Sequence, residues 1–187
     1  MLDYEKSHNI LIGLNKPRGV ICTHNDEKGR VRVYDLIPKN ILKDFKKKIH
    51  SVGRLDYNSQ GLILLTNNTR IKSYLESPSS KILRVYKVKI QGLITNNIIK
   101  KYQKGLQVGN IFYSIISMKI IKQSKSYSWL IVKLDEGKNQ HIRKIFKRIG
   151  FNVNKLIRIQ YGTIKLSSLK PGNLKFLSPF KLNLIDL

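Results

Sequence analysis

One carboxylate of this chain, Asp56, lies between two glycines in the segment GRLDYNSQGL at positions 53–62, directly before an apolar run. A loop that a rigid strand holds in place can present a reactive side chain while its backbone stays fixed. This placement makes Asp56 a candidate catalytic carboxylate. Because Arg54 is only two residues away, Asp56 could equally be a surface carboxylate in an ion pair.

A second candidate segment, LDEGKNQHIRK at positions 134–144, places two acids before a basic helix that we predict at 138–149. Negative charge is favourable near a helix N-terminus, so the sequence predicts a structural role for Asp135 and Glu136. One face of this helix is apolar, and the other carries the cations Lys138, Arg143, Lys144, Lys147 and Arg148. Such a row suits contacts with phosphates. Arg143 borders the apolar face and could point inward as the partner of a buried carboxylate.

The charge of the chain is strongly unbalanced, because 36 Lys and Arg against 11 Asp and Glu give a net charge of +25. A polyanion neutralises such an excess, and each neutralised phosphate releases condensed counterions. The charge therefore predicts RNA as the partner. The alternative is a compositional bias, since the sequence is also rich in Asn and Ile and lysine could replace neutral surface residues without function.

The lone cysteine, Cys22, excludes an internal disulfide and is typical of a reducing compartment. The N-terminal segment MLDYEKSHN has no secretory pattern, and no apolar run approaches the ~20 residues that span a bilayer. We therefore expect a cytoplasmic protein without membrane association. Together with Cys22, the four histidines lack metal-ligand spacing, so we expect no zinc site. These histidines are His8, His24, His50 and His141; the last is expected to contact RNA or to face solvent.

The hydrophobic pattern predicts many strands and few helices. Strands are expected within 10–23 (two, separated by a turn at 15–19) and at 62–66, 82–90, 112–121, 127–134, 156–166 and 173–176, and helices at 70–76, 95–104 and 138–149. Residues 24–50, with the lysine run Lys46–Lys48, are expected to form a polar excursion. This order predicts an α+β fold with a mixed, mainly antiparallel sheet flanked by helices. We expect a single domain over 1–187, in which two interleaved subdomains are possible.

From about Leu11 to Leu177, the chain resembles the RsuA family of bacterial ribosomal RNA pseudouridine synthases. LNKPRGVICT is similar to the opening motif of that family, GRLDYNSQGLILLTNN to its catalytic motif, and RVYKVKIQG to the strand with its pocket tyrosine. LDEGKNQHIRKIFKRIGFNVNKLIRIQYGTIKLSSLKPG is similar to its closing motif. The resemblance implies the pseudouridine synthase catalytic fold, and an enzyme that isomerises a specific uridine without metal or organic cofactor.

The resemblance also implies a role for particular side chains. Asp56 would be the nucleophile, Tyr86 the aromatic residue that stacks on the target base, and Arg143 the ion-pair partner of Asp56. Leu156 would form an apolar wall of the pocket. The residues that would contact the substrate RNA elsewhere are Arg54, Lys16, Lys144 and Arg158.

The chain also departs from the family pattern. It has QHIRK at 140–144 where many members have RQVRR, so contacts with RNA beside Arg143 are expected to differ. About ten residues precede the first predicted strand, so we expect a short form without the small N-terminal RNA-binding domain of many relatives. Ribosomal RNA or a ribosomal precursor particle is the expected partner, and the high charge predicts a monomer.

Two other functions fit parts of the sequence. A non-catalytic ribosome-assembly factor on the same fold would share the charge, but it would not need Asp56 together with Arg143. A glycosidase normally requires two carboxylates, and a metal-dependent nuclease requires an acidic cluster. The sequence shows neither, so both enzymes rank below the isomerase.

Overall fold

The computed structural model describes residues 10–43 and 48–178 of the chain. Its strands are β1 (Leu11–Lys16), β2 (His50–Val52), β3 (Gln60–Thr66), β4 (Arg84–Gln91), β5 (Gly105–Val108), β6 (Ile111–Ser114), β7 (Ser117–Ser124), β8 (Tyr127–Leu134), β9 (Val153–Tyr161), β10 (Ile164–Lys165) and β11 (Leu174–Phe176). Its α-helices are α1 (Lys39–Lys43), α2 (Thr69–Glu76), α3 (Asn96–Tyr102) and α4 (His141–Arg148). None of the helices in these ranges has the length and apolar character to cross a bilayer.

Most of the strands form one sheet in the order β11-β1-β3-β9-β4-β8-β7, with β2 paired to β3 and β10 to β9. Every pair in it is antiparallel except β3 with β9, which run parallel. The β5–β6 hairpin forms a separate two-stranded sheet. The predicted α+β fold with a mixed, mainly antiparallel sheet is confirmed.

The parallel junction of β3 and β9 depends on a glycine. Gly61 has a φ of 103°, which side chains rarely adopt, and it lies opposite Arg158 in the register. A Cβ atom at this position would lie 2.7 Å from the backbone nitrogen of Arg158 and closer still to its carbonyl oxygen. Only glycine therefore lets the two backbones approach, and this approach brings the segment around Asp56 next to β9.

Apolar residues cover the two faces of the sheet in different places. On the front face, a large cluster joins the sheet to α3 and α4 through Ile99, Ile142, Ile145 and Phe146. On the back face, a smaller cluster packs α2 against β2 and β3 through Ile71, Leu75 and Leu62. The front cluster positions the site described below.

Two local predictions, for the segments near 20–23 and at 24–50, were wrong. At 24–50 the polar composition did not indicate the residues that are buried. Residues 24–50 are not a solvated excursion: they contain a 3₁₀ turn at Val33–Leu36, helix α1 and strand β2, and Val33, Ile37 and Ile49 are buried. The second short strand near 20–23 is reduced to one bridge, between Ile21 and Arg32. Most of the Lys46–Lys48 run lies outside the described residues, as does His8.

Two strand predictions also need correction. The strand expected at 112–121 is two strands, β6 and β7, because the backbone N–H of Ile115 turns aside to bond the carbonyl of Lys104. The sequence also favours Trp129 as a core residue over a base-stacking platform, but its side chain is only half-buried. The buried residues of β8 are Ser128, Leu130, Val132 and Leu134, and because side chains alternate along a strand, Trp129 points to the back face.

Candidate active site

A cavity of about 360 Å³ opens on the front face of the sheet, between the segment around Asp56 and the segment before α4. Residues from five parts of the chain line it, among them Arg54, Asp56, Tyr86, His141, Leu156 and Arg158. Most of the side chains predicted for the site thus lie around one cavity, although up to about a hundred positions separate them in the sequence. Lys16, Arg143 and Lys144 are not among the lining residues and are placed below.

The Asp56 loop, residues 53–59, is fixed by hydrogen bonds to its backbone. Within the loop, Ser59 N–H donates to Asp56 O at 2.9 Å, and Gly19 N–H donates to Tyr57 O at 2.9 Å from the neighbouring turn. The ammonium of Lys16 donates to Ser59 O at 2.8 Å, and the guanidinium of Arg143 donates to Asn58 O at 3.3 Å. The carboxylate is therefore presented from a backbone that is held on both sides.

Asp56 and Arg143 lie at ion-pair distance, with Arg143 Nε 4.0 Å from Asp56 Oδ2. A further bond from the guanidinium to Val153 O, at 3.0 Å, fixes Arg143 between α4 and β9. The Asp56 side chain is 39% exposed, so it lies at the mouth of the cavity and is not a fully buried carboxylate. Burial lowers the pKa of Arg143 and the charge of Asp56 partly opposes this shift.

Tyr86 and Leu156 form the apolar part of the cavity. They lie on adjacent strands, β4 and β9, with exposed fractions of 7% and 6%. Both side chains point to the front face, because they belong to the front cluster together with Val88 and Ile90 of β4. An aromatic ring and an aliphatic side chain beside a carboxylate could hold a flat base and exclude water.

Lys16 does not contact solvent, which corrects its predicted role at the RNA backbone. It is fully buried, and its Nζ donates to the carbonyls of Pro17 and Ser59. Burial lowers its pKa to about 8, while the charges of Cys22 and Asp56 oppose that shift. Lys16 therefore holds the Asp56 loop in place from inside the protein.

The other three predicted RNA contacts differ in their surroundings. Arg54 is exposed at the rim of the cavity. Lys144 is half-buried and donates to the hydroxyl of Tyr113 at 3.0 Å. Arg158 is only 3% exposed and donates through Nε to Leu62 O at 2.6 Å, so it is available only to a group inside the cavity.

Two buried lining residues were missed or misjudged from the sequence. Arg84 is 5% exposed and donates to Leu75 O, Asp135 O and the Tyr161 hydroxyl. His141, expected in solvent or on RNA, is 4% exposed, and its Nε2 lies 2.8 Å from Ser114 O. Only a protonated Nε2 can bond that carbonyl, and burial lowers the pKa of His141, which favours the neutral ring with its proton on Nε2. The position of His141 on the apolar side of α4 could have predicted this burial from the sequence.

Glu76 is a second carboxylate in the cavity lining, which the sequence did not predict. Its Oε1 accepts from Gly53 N–H at 2.6 Å, and its Oε2 pairs with Lys72 at 2.6 Å. Both oxygens of the carboxylate are thus engaged by donors, and Glu76 ties α2 to the Asp56 loop.

The predicted structural role of Asp135 and Glu136 at the start of α4 also needs correction. The helix begins at His141 and has no acid in its first turn. Glu136 instead accepts from Ser114 Oγ and pairs with Lys138, and these contacts, against burial, lower its pKa. It therefore ties the β5–β6 hairpin to the cavity rim. Within residues 10–43 and 48–178, no group of three His, Cys, Asp or Glu side chains is arranged for a metal ion.

The sequence and the fold agree with those of known RNA-modifying proteins. A family model described as RNA pseudouridylate synthase matches residues 10–148, and the chain belongs to this family. An uncharacterised RNA pseudouridine synthase of Rickettsia prowazekii is 45% identical over 163 residues, which cover 87% of this chain and 66% of the relative. The ribosomal large subunit pseudouridine synthase B of Buchnera aphidicola subsp. Acyrthosiphon pisum is 39% identical over 167 residues, which cover 88% and 64%. The chain thus spans about two thirds of the length of these relatives.

Solved structures show the same fold at lower sequence identity. The crystal structure of a pseudouridylate synthase superposes with a TM-score of 0.79 at 23% identity, covering 94% of this chain and 73% of that one. One chain in the crystal structure of an archaeal box H/ACA complex of Nop10 and Cbf5 superposes with a TM-score of 0.61 at 20% identity. These likenesses concern the fold of the chain.

Proposed function

We propose that this chain is an enzyme that isomerises a specific uridine of ribosomal RNA to pseudouridine, with Asp56 as the nucleophile. The observation that carries the proposal is the arrangement at the cavity mouth, where the Asp56 carboxylate faces Arg143 beside the lining residues Tyr86 and Leu156. Family membership supports the reaction class. The name of the Buchnera relative supports ribosomal RNA as the substrate.

The reaction exchanges the bond between ribose C1′ and N1 of uracil for a bond between C1′ and C5. The proton on C5 leaves, N1 gains one, and no oxidant or co-reactant is consumed. Asp56 must be ionised to act either on C1′ of the ribose or on C6 of the base. The guanidinium of Arg143, which keeps its charge at working pH, faces this carboxylate as its ion-pair partner.

Tyr86 is proposed to stack on the uracil while it is detached from the ribose, and Leu156 to keep water from the intermediate. The uridine must leave its helix stack to reach the cavity. Arg54, at the exposed rim, and Lys144 are proposed to contact the RNA around the target, and Arg158 is proposed to contact the nucleotide inside the cavity. We further propose that the chain acts as one monomeric domain in the cytoplasm, on ribosomal RNA or its precursor particle.

The experiment is to map pseudouridine across the ribosomal RNA of cells that lack this gene. Complementation uses the wild type, Asp56→Asn, and the control Asp26→Asn, which alters an acid that pairs with Arg30 outside the cavity. We expect one or two sites to vanish and to return with the wild type and the control only. Asparagine has the shape of aspartate but cannot act as a nucleophile, so the site should stay unmodified.

Two results would contradict the proposal. An unchanged map in the deleted strain would show that ribosomal RNA isomerisation is the wrong activity. A site restored by Asp56→Asn would show that the carboxylate is not the nucleophile. If the map is unchanged while ribosome assembly is impaired, the non-catalytic assembly factor becomes the better interpretation, and its charge of +25 already fits RNA binding.

A further inference from the structure

The back face of the sheet carries a second concentration of positive charge, away from the cavity. In the cross-strand register of β4, β7, β8 and β9, opposite residues share a face, and one face is rich in lysine. Its lysines are Lys87, Lys89, Lys119, Lys122, Lys133 and Lys155, and we call this set the lysine face. Four of its members are exposed, and Lys87 and Lys89 are half-buried.

The lysine face has no acids of its own strands to balance it, since β4, β7, β8 and β9 contain no Asp or Glu. Lys89 and Lys155 are even direct cross-strand partners. Like charges directly opposite one another destabilise a sheet unless an anion neutralises them. The charge of this face is therefore typical of a surface that binds a polyanion.

Two aromatic rings hold lysine heads in place on this surface. The Nζ of Lys87 lies 4.9 Å from the centroid of the Trp129 ring, and the Nζ of Lys89 lies 3.9 Å from that of Tyr127. Such contacts reduce the freedom of an ammonium group without neutralising it. Because the ring faces are already covered by lysines, the surface is built for contacts with phosphates and not for stacking on bases.

The lysine face and the cavity lie on opposite sides of the same strands. Tyr86 and Leu156 point to the front, whereas Lys87 and Lys155, each one position along, point to the back. Within residues 10–43 and 48–178, α3 and α4 bury their apolar side chains in the front cluster, and α2 packs on β2 and β3. The back of β4 and β8 thus remains accessible beside the edge strand β7.

We infer that the lysine face binds the phosphate backbone of a second segment of the RNA whose uridine enters the cavity. This inference rests on the proposed function for the identity of that RNA. The two contacts differ in kind: the cavity takes one nucleotide, whereas the lysine face recognises backbone charge without regard to sequence. A long, folded RNA can reach both faces by passing the edge at β7, and a short stem-loop at the cavity cannot.

The test replaces four lysines of this face, Lys87, Lys89, Lys119 and Lys155, with glutamine. A matched control replaces Lys28, Lys81, Lys104 and Lys170, which are exposed and lie outside the four strands, and loses the same charge. Affinity is measured against salt concentration for a ribosomal RNA transcript and for a short stem-loop with one unpaired uridine. On the transcript, we expect the lysine-face variant to lose affinity about tenfold and to have a salt slope smaller by roughly 3.

The comparison between RNAs and variants decides the outcome. The loss on the transcript should exceed the loss on the stem-loop, and the four corresponding arginine substitutions should retain the wild-type slope because they keep the charge. Equal losses in the lysine-face and control variants would overturn the inference, as would an unchanged slope. If the wild type forms no pseudouridine in any RNA, the proposed function fails, but the binding comparison still decides whether this face contacts RNA.

Discussion

Two groups of basic residues in this protein differ in what their charge does. The group around the cavity is largely removed from solvent, and each of its members donates to backbone carbonyls. Its members are Lys16, Arg84, Arg143 and Arg158. On the lysine face, Lys87 and Lys89 lie over aromatic rings, and their strands carry no acid.

The difference shows that the net charge overstates the number of cations that are accessible to RNA. A buried cation is tolerated only when hydrogen bonds replace its water, so the cavity group is committed to the scaffold that positions the Asp56 loop and the strand ends. An exposed cation keeps its water and can exchange it for phosphate. We therefore expect substitutions of Lys16 and Arg84 to change mainly folding, and lysine-face substitutions to change mainly salt-dependent binding.

The largest effect that sharpens this contrast is expected at Arg84. Arg84→Met would remove the donor to Asp135 O and to the Tyr161 hydroxyl, and one of two donors to Leu75 O, which also accepts from that hydroxyl. Each unsatisfied buried group costs about 1–3 kcal/mol. We expect the free energy of unfolding to fall by about 3–5 kcal/mol, measured by urea denaturation.

Arg70→Met is the matched control, because Arg70 is exposed on α2. Surface substitutions usually change stability by less than about 0.5 kcal/mol. If both variants lost similar stability, the scaffold role of Arg84 would be wrong, and the contrast between the two groups would weaken.

A smaller effect, dependent on pH, is expected at Lys16. Its pKa of about 8 in the folded protein is below the ordinary value of 10.5, so the unfolded chain binds more protons between these two pH values. The free energy of unfolding should therefore rise with pH across this window, by at most about 3 kcal/mol from this group. Below pH 8 both states are protonated and the contribution is constant.

The measurement is urea denaturation below pH 8 and again towards pH 10.5, for the wild type, Lys16→Met and the control Lys165→Met. Lys16→Met should lose the part of the rise that belongs to this lysine, while the control, on an exposed residue of β10, should retain it. An identical pH dependence in all three proteins would show that Lys16 titrates as a solvated lysine.

The parts of the site that local pattern governs were predictable from the sequence. The loop before a buried strand singled out Asp56, and the edge of an amphipathic helix singled out Arg143. Alternation along strands is a local property as well, so a half-buried strand at 82–90 was expected and β4 is found at Arg84–Gln91. The roles of Tyr86 and Leu156 came from the resemblance and stay proposals.

The parts that depend on distant packing were not predictable. Lys16 is buried because the loop at Ser59, 43 residues away, closes over it, and Arg84 because Tyr161, 77 residues away, lies against it. Composition assigns such residues to the surface. For the same reason, the burial of His141 was not predicted. Trp129 was expected in the core on the basis of its type, whereas it lies on the back face.

The smallest effect, and the one that best separates the two groups, is expected at Lys89. Lys89→Gln removes a cation from the Tyr127 ring, at a cost of about 0.5–1 kcal/mol, but it also removes the like-charge opposition to Lys155. The two changes have opposite signs, so the free energy of unfolding should shift by less than about 0.5 kcal/mol. The repulsion is screened by salt whereas the close ring contact is screened less, so the variant should compare better with the wild type at low salt than at high salt. Urea denaturation at both salt concentrations measures this difference. If the free energy of unfolding fell by several kcal/mol, as expected for Arg84→Met, Lys89 would belong to the scaffold and not to an RNA-binding surface.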